Sequence, residues 1–298
     1  ICGITEEELR RYFDAEVEVF AKKQHVDKDA MYEMLKQKYD GYHFSSNSED
    51  IYNPFSLLNS LKTRSLSNYW FATGTPTYLV TILKKKSYDL SKFSRGVTVM
   101  VESMTSFGNG DGSVIAALYQ SGYLTIKSYD GKKYYRLGFP NEEVEDGFVQ
   151  CLMEEYTVTT SGEIDEDLQH LGSLISMGDI NGFMTQIQQI MSQIPFESND
   201  AKLIEANFRN MLYLMIRSTG HKVLVEYPVL GGRIDVFFQT EQFAYVIECK
   251  RDQSAAEALA QIDEKKYADK LSVQNKKIVK IGVNFSTEER NLTEWKEG

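Results

Sequence analysis

The chain contains no run of about 18 apolar residues, so its sequence predicts no membrane-spanning helix. It has only 3 cysteines in 298 residues. An odd number at wide spacing fits neither a disulfide framework nor a zinc site, and it favours a reducing, cytoplasmic setting. The start has no charged and then apolar signal pattern and no initiating Met. We therefore expect no secretion, and a sequence cut from something longer.

Positive charge is also scarce, because 33 Lys and Arg residues stand against 43 Asp and Glu residues, for a net charge of −10. Residues 200–298 hold 15 of each sign, so the whole acidic excess lies in residues 1–199. Since binding of a phosphate backbone needs clustered cations, any role with nucleic acid must depend on a local site. The 42% of hydrophobic residues exclude a mostly disordered chain, and the length favours two domains.

Helix signals and one hairpin signal dominate residues 1–157. Thr5 with Glu8 is a capping box, which predicts a helix with Leu9, Tyr12 and Phe13 on one side. Asp130-Gly131 predicts a hairpin between two strand-like runs. Further helices are expected at about 28–39, from 53, at 70–86, 113–122 and 142–156. The helix at 113–122 followed by the hairpin has the outline of a winged-helix module, and the polar stretch 157–162 is the expected linker.

The pattern changes after the linker. Helices are predicted at about 165–177, 179–194 and 202–218, then strands at 222–229, 233–239 and 243–250, a helix at 255–271 and a last strand at 277–284. The order α-β-β-β-α-β predicts an α/β unit in which the final strand is reached by a helical crossover.

The strongest candidate site lies in the second and third of these strands. Alternation places Glu248 and Lys250 on one face at the end of an apolar run. In the strand before, Asp235 lies between the apolar Ile234 and Val236. Charges inside strands that otherwise belong to the core need a partner, a metal or water. If the two strands pair as a hairpin, the three charged side chains converge.

Two carboxylates together with the backbone carbonyl of Cys249 suit a hard cation such as Mg²⁺. Such a cation polarises a phosphodiester and lowers the pKa of a bound water, while a lysine orients that water or stabilises negative charge. The spacing alone leaves a second interpretation open. Glu248 and Lys250 would then be a solvated pair at the strand edge, and Asp235 a partner for Arg233.

Several segments in a fixed order resemble a known family. The segments GRIDVFF, YVIECKRD, AEALAQIDEKKYADK and KIVKIGVNFS resemble the PD-(D/E)XK nuclease superfamily, and more closely the nuclease-like domain of bacterial AAA-ATPase-like proteins. Upstream, KYDGYHF, YNPFSLLNSL and YWFATGTPTYL resemble the C-terminal part of the ATPase-like domain of that family. The resemblance implies an α+β and α/β protein. Residues 1–157 would be helical with a winged-helix-like module, and residues 158–298 a restriction-endonuclease-like α/β domain with a mixed sheet.

The resemblance also implies roles for individual residues. Asp235 and Glu248 would be the acids that bind Mg²⁺ or Mn²⁺, and Lys250 would be the catalytic lysine. The family's leading Pro-Asp reads Ile234-Asp235 here.

Three further residues correspond to supporting positions of the family. Glu205 matches the glutamate of the preceding helix, although a pair with Arg209 four residues on is an equally good interpretation. Gln261 and Tyr267 match the helix after the catalytic strand and would support substrate or metal, with an edge-of-core role as the alternative.

The sequence lacks the Gly-x-x-x-x-Gly-Lys-[Ser/Thr] phosphate loop that an ATPase needs, and the glycine-rich stretch 108–113 has no lysine. We therefore expect no ATP hydrolysis by this chain, and an ATPase core only in a preceding region. Three hypotheses result. The chain is a nuclease acting on DNA or RNA, a silent module that docks nucleic acid or protein, or a regulatory fragment that relays nucleotide state from that core.

Overall fold

The computed structural model describes residues 3–45, 48–70, 77–86, 88–104, 111–157, 161–194, 201–267, 271 and 275–298, with backbone only at 111–113, 161–162, 201–203 and 205–206. None of the helices in this part of the chain is long and apolar enough to cross a membrane. The linker core at 158–160 and the first half of the glycine-rich stretch, at 108–110, lie outside the described residues.

The structure alternates helices with two sheets. The helices are α1 (Glu6–Tyr12), α2 (Asp14–Gln24), α3 (Lys28–Tyr39), α4 (Pro54–Thr63), α5 (Thr77–Lys85), α6 (Lys92–Arg95), α7 (Asp111–Gln120), α8 (Glu142–Tyr156), α9 (Ser161–Met177), α10 (Ile180–Ser192), α11 (Ala201–Ser218) and α12 (Ala255–Glu264). The strands are β1 (Val97–Met100), β2 (Thr125–Tyr129), β3 (Tyr134–Gly138), β4 (Val223–Val229), β5 (Gly232–Gln239), β6 (Phe243–Arg251), β7 (Lys277–Ser286) and β8 (Asn291–Glu297).

The chain divides into two compact units. The first contains Ile1–Ile82 and Gly96–Cys151, and the second contains Leu83–Arg95 and Leu152–Gly298. In the first unit, α1 to α4 enclose a core that includes Val17, Phe20, Met31 and Leu57. The same unit holds an antiparallel sheet in the order β1-β3-β2, next in the chain to α7. The sequence boundary at 157/158 and the winged-helix assignment stay predictions.

The second unit is built on a mixed five-stranded sheet in the order β4-β5-β6-β7-β8. Strands β6 and β7 run parallel and the other neighbours are antiparallel. Helix α12 is the crossover between the two parallel strands, as their direction requires. The sheet is therefore of the mixed α/β type that the element order predicts.

Helices cover both faces of this sheet because its central strands are apolar on both sides. On one face Val246 packs with Leu259 and Ile262 of α12. On the other face Tyr245 stacks on Phe238, and Phe183 of α10 packs edge-on against both rings. Strand β6 is thus packed from both sides.

A buried asparagine fixes the Leu83–Arg95 segment to the second unit. The Asn210 amide of α11 donates to the Tyr88 carbonyl (2.8 Å), and its oxygen accepts from the Leu90 N–H (2.9 Å). Asn210 is fully buried, and both bonds satisfy backbone groups that would otherwise be costly to bury. This segment ends with α6 and Arg95.

Most predicted elements are confirmed, but several details differ. Helices α2 and α6 and strands β1 and β8 were not predicted, so β7 is not the last strand. Of the helix expected at 70–86 the structure has α5, and residues 71–76 lie outside the described part of the chain. Helix α12 ends at Glu264 and does not continue to 271. The reason is local, because Lys266 adopts a left-handed conformation (φ 52°) and turns the chain so that Tyr267 enters the core.

Gly282 of β7 allows α12 to approach the sheet closely. An added Cβ would collide with the Ala255 carbonyl and lie 2.6 Å from the Leu259 amide, both in the helix backbone. We expect Gly282→Ala to lower the free energy of unfolding by about 1–3 kcal/mol, the usual cost of overpacking. Urea unfolding measures this change. Gly172→Ala in α9 is the control, because its Cβ would lie at an ordinary 3.4 Å from Thr219. Equal stability of the two variants would contradict the prediction.

Candidate active site

Asp235 lies where strands β5 and β6 separate. Their ladder runs from Gln239–Ala244 to Val236–Ile247. One position further on, the Asp235 carboxylate accepts a hydrogen bond from the Cys249 N–H (2.8 Å) in place of a backbone carbonyl. In an extended strand the N–H and C=O of one residue point to the same side. The Cys249 carbonyl therefore also faces the opening beside Asp235.

Glu248 and Lys250 follow on β6 and are linked by Gln261 of α12. The Gln261 amide donates to Glu248 Oε1, and its oxygen accepts from the Lys250 ammonium (2.5 Å). The second oxygen, Glu248 Oε2, is buried and meets no hydrogen-bond donor within the described part of the chain. One amide therefore orients the carboxylate and the ammonium together, and leaves one carboxylate oxygen available.

The three charged residues predicted to converge, Asp235, Glu248 and Lys250, line one pocket with a volume of about 260 Å³. Its lining includes Asp235, Glu248, Lys250, Arg209 and Glu226. A pocket that combines apolar walls with a few convergent charged groups is the usual form of a catalytic site. The hairpin thus brings the charged groups together, as the alternation of the strands suggested.

Burial sets the electrostatics of the pocket. Burial is the main cause that raises the pKa of Glu248 to about 8. Repulsion by the Asp235 carboxylate also raises this pKa, and the Lys250 ammonium lowers it. Burial also raises the pKa of Asp235. The hydrogen bond from the Cys249 N–H and the positive charge of Lys250 lower this pKa and so oppose the effect of burial. Burial raises the pKa of the Cys249 thiol well above its usual value, so the thiol stays protonated. Only the carbonyl of Cys249 is then a candidate ligand.

This raised pKa predicts a pH-dependent stability of the metal-free protein. A carboxyl whose pKa is higher in the folded state stabilises below its unfolded pKa, about 4.3, and loses this effect as the pH rises through about 8. We expect the melting temperature of the wild type to fall across this window relative to that of Glu248→Gln, which cannot ionise. Calorimetry in EDTA measures both, and parallel curves would contradict the prediction.

Of the two remaining predicted residues, Tyr267 and Glu205, the structure describes only the side chain of Tyr267. Tyr267 is buried in the core beside β5. Its hydroxyl lies so close to Gly232 that a Cβ added at Gly232 would be 2.7 Å from it. Tyr267 therefore supports strand β5 from the core. Glu205 belongs to α11, and its side chain lies outside the described residues. The alternative of a solvated strand edge is wrong for Glu248, which is 3% exposed. Arg233 pairs with Glu226.

Sequence reasoning missed Glu226 and Arg95, and it considered Arg209 and Arg233 only as partners of other acids. Glu226 lies on β4 with a left-handed backbone (φ 48°) and forms ion pairs with Arg95, Arg209 and Arg233. The signal available in the sequence was a lone acid in an otherwise apolar strand. Arg95 is distant in the sequence, so no local pattern could have placed it here.

The donor set fits a hard divalent cation. The potential ligands are the carboxylates of Asp235 and Glu248 and the carbonyl of Cys249, and Glu248 Oε2 accepts no hydrogen bond from the described residues. Mg²⁺ usually binds only a few protein oxygens and keeps several waters, so this set fits it. Among the described residues, no three His, Cys, Asp or Glu side chains are grouped so that they could hold a metal. Within the described residues, the donor set thus consists of the carboxylates of Asp235 and Glu248 and the Cys249 carbonyl.

Comparison with known families agrees with this architecture. Residues 203–295 match the family model described as PD-(D/E)XK nuclease superfamily. The match begins in α11 and ends in β8, so it spans the sheet, the crossover helix and the candidate residues. The chain therefore contains a PD-(D/E)XK nuclease superfamily domain.

A relative extends the similarity beyond this domain. The chain is 29% identical over 300 residues to the "Uncharacterized protein in vnfD 5'region" of Azotobacter chroococcum mcd 1. The alignment covers 98% of this chain and 55% of the relative, so the chain spans about half the length of that protein. No solved structure matches the chain.

Proposed function

We propose that the second unit is a metal-dependent nuclease that hydrolyses phosphodiester bonds of DNA or RNA in the cytoplasm. The observation that carries the proposal is the convergence of Asp235, Glu248 and Lys250 on one pocket inside the matched domain. A docking domain has no physical need to bury clustered carboxylates, whereas a hydrolytic site does.

Asp235, Glu248 and the Cys249 carbonyl would hold Mg²⁺ or Mn²⁺. When bound, the cation polarises the phosphodiester and makes a bound water more acidic. The protein contributes the geometry, because Glu248 is oriented by Gln261 and Asp235 by the Cys249 N–H. Glu205 of α11 is proposed to support this site as the corresponding helix glutamate of the family does.

Lys250 is proposed as the catalytic lysine. Its ammonium is held by Gln261 on the same side of β6 as Glu248. From there it would orient the attacking water and stabilise the negative charge that develops on the phosphate. Gln261 acts through Lys250 and Glu248, so we assign it a positioning role.

The first unit is proposed to be the C-terminal part of an AAA-ATPase-like domain, with α7 and the β2–β3 hairpin as a winged-helix-like module. The proposal is supported by the resemblance of three segments and by the observed order of helix and hairpin. We propose that ATP would act only through a preceding ATPase core, as a regulator of the nuclease unit.

The experiment is a cleavage assay with labelled single- and double-stranded DNA and RNA in Mg²⁺, Mn²⁺ or EDTA. The proposal predicts products in one of the metals and none in EDTA. Binding of these probes without cleavage in either metal would contradict the nuclease function and leave the docking function as the better account.

A further inference from the structure

Three arginines surround one glutamate at the mouth of the candidate active site. Arg95 and Arg233 contact Glu226 Oε2 at 3.2 and 3.3 Å, and Arg209 lies 4.0 Å from Oε1. They come from α6, β5 and α11, so the fold and not the local sequence assembles them. We call these four residues the arginine cluster.

The arginine cluster adjoins the carboxylates of the site. Val225 pairs with Val236 and Tyr227 with Ile234, so the register places Glu226 opposite Asp235. Arg209 and Glu226 also line the same pocket as Asp235, Glu248 and Lys250. A group bound by the arginines would therefore lie next to the reacting phosphodiester.

The backbone of Glu226 indicates that its position is held by its surroundings. Its φ of 48° is in the left-handed region, which is unfavourable for a residue with a Cβ. Such conformations persist where neighbouring contacts determine them, and they are concentrated at functional sites. Here the contacts are the arginines, which hold the carboxylate between them.

The charges of the cluster do not balance. Three guanidinium groups share the one carboxylate of Glu226, so Glu226 by itself offsets only one of their charges. The arginine side chains are 33%, 40% and 66% exposed, so solvent and ligands reach them. Guanidinium groups bind phosphate oxygens in pairs, and are the usual choice for this contact. This is the local cation cluster that an acidic chain needs in order to bind nucleic acid.

We propose that the arginine cluster binds a backbone phosphate of the nucleic acid next to the cleaved bond, and that Glu226 is an internal anion that the phosphate displaces. The inference rests on the proposed nuclease function, because it locates the substrate of that site. Glu226 keeps the arginines together when no substrate is bound, and it weakens the binding of anions that lack further contacts.

The test is fluorescence anisotropy with short labelled single- and double-stranded DNA and RNA, in EDTA, at salt between about 50 and 200 mM. We expect Arg209→Gln and Arg233→Gln each to reduce the slope of log K against log salt by about one. We expect Glu226→Gln to bind about fivefold more tightly than the wild type, the effect of one partly exposed charge. Thermal melting checks that each variant is folded.

Lys277→Gln is the matched control, because Lys277 pairs with Phe243 at the other end of the sheet. It should bind like the wild type. Arginine variants with unchanged slopes, weaker binding by Glu226→Gln, or no binding by the wild type would each overturn the inference.

Cleavage is measured separately, in Mg²⁺ and Mn²⁺. Cleavage with unchanged slopes contradicts only the inference, whereas reduced slopes without cleavage contradict only the nuclease function.

Discussion

Lys250→Ala is expected to lower the rate of phosphodiester cleavage by about 10²- to 10³-fold or more, the effect of losing one preorganised electrostatic group. The ammonium acts on the attacking water and on charge that develops as bonds rearrange, so its loss affects the transition state more than the bound substrate. Single-turnover cleavage in Mn²⁺, measured beside a binding titration, separates the two effects. Binding should weaken by no more than about one phosphate contact.

Lys277→Ala is the control for this experiment, since it removes a lysine far from the pocket on the same sheet. It should cleave at the rate of the wild type. If Lys250→Ala retained a rate within about tenfold of the wild type, the lysine would not have the assigned role. Melting curves show whether the loss of the bond to Gln261 destabilises the fold.

Asp235→Asn is expected to weaken Mn²⁺ binding by more than about 100-fold, beyond the range typical for residues that only support a ligand. The variant loses a carboxylate ligand, but its amide oxygen can still accept the bond from the Cys249 N–H, so the strand end should keep its conformation. Isothermal titration of metal-free protein with Mn²⁺ measures the affinity.

Asp263→Asn is the matched control, because Asp263 lies on α12 and pairs with Lys280 on the exposed surface (2.6 Å). Its titration should equal that of the wild type. Equal heats for the wild type and Asp235→Asn would remove Asp235 from the metal site.

The sequence predicted those parts of the fold in which a local signal and the tertiary structure agree. The capping box of Thr5 and Glu8 is formed, and Asp130 accepts bonds from three backbone N–H groups in the predicted hairpin. Period-2 alternation placed Glu248 and Lys250 on one side of β6. In each case the information lies within a few residues of the chain.

Strand β8 and Glu226 were missed because they depend on contacts that are distant in the sequence, whereas helix α2 was missed for a local reason. Strand β8 is a polar edge strand in which Leu292 is buried, and it is extended because it pairs with β7. Helix α2 was not recognised as a separate helix, because Leu9 and Phe13 have helical spacing and this pattern continues across the first residue of α2. Glu226 became recognisable only when the sheet and α6 brought Arg95 and Arg233 to it.

The most direct measurement of the central claim is an anomalous difference map from crystals of the protein soaked in Mn²⁺. The account predicts one peak between the carboxylates of Asp235 and Glu248, with the Cys249 carbonyl as a third protein ligand and waters completing the shell. A peak elsewhere on the protein, or none in this pocket at saturating Mn²⁺, would contradict it.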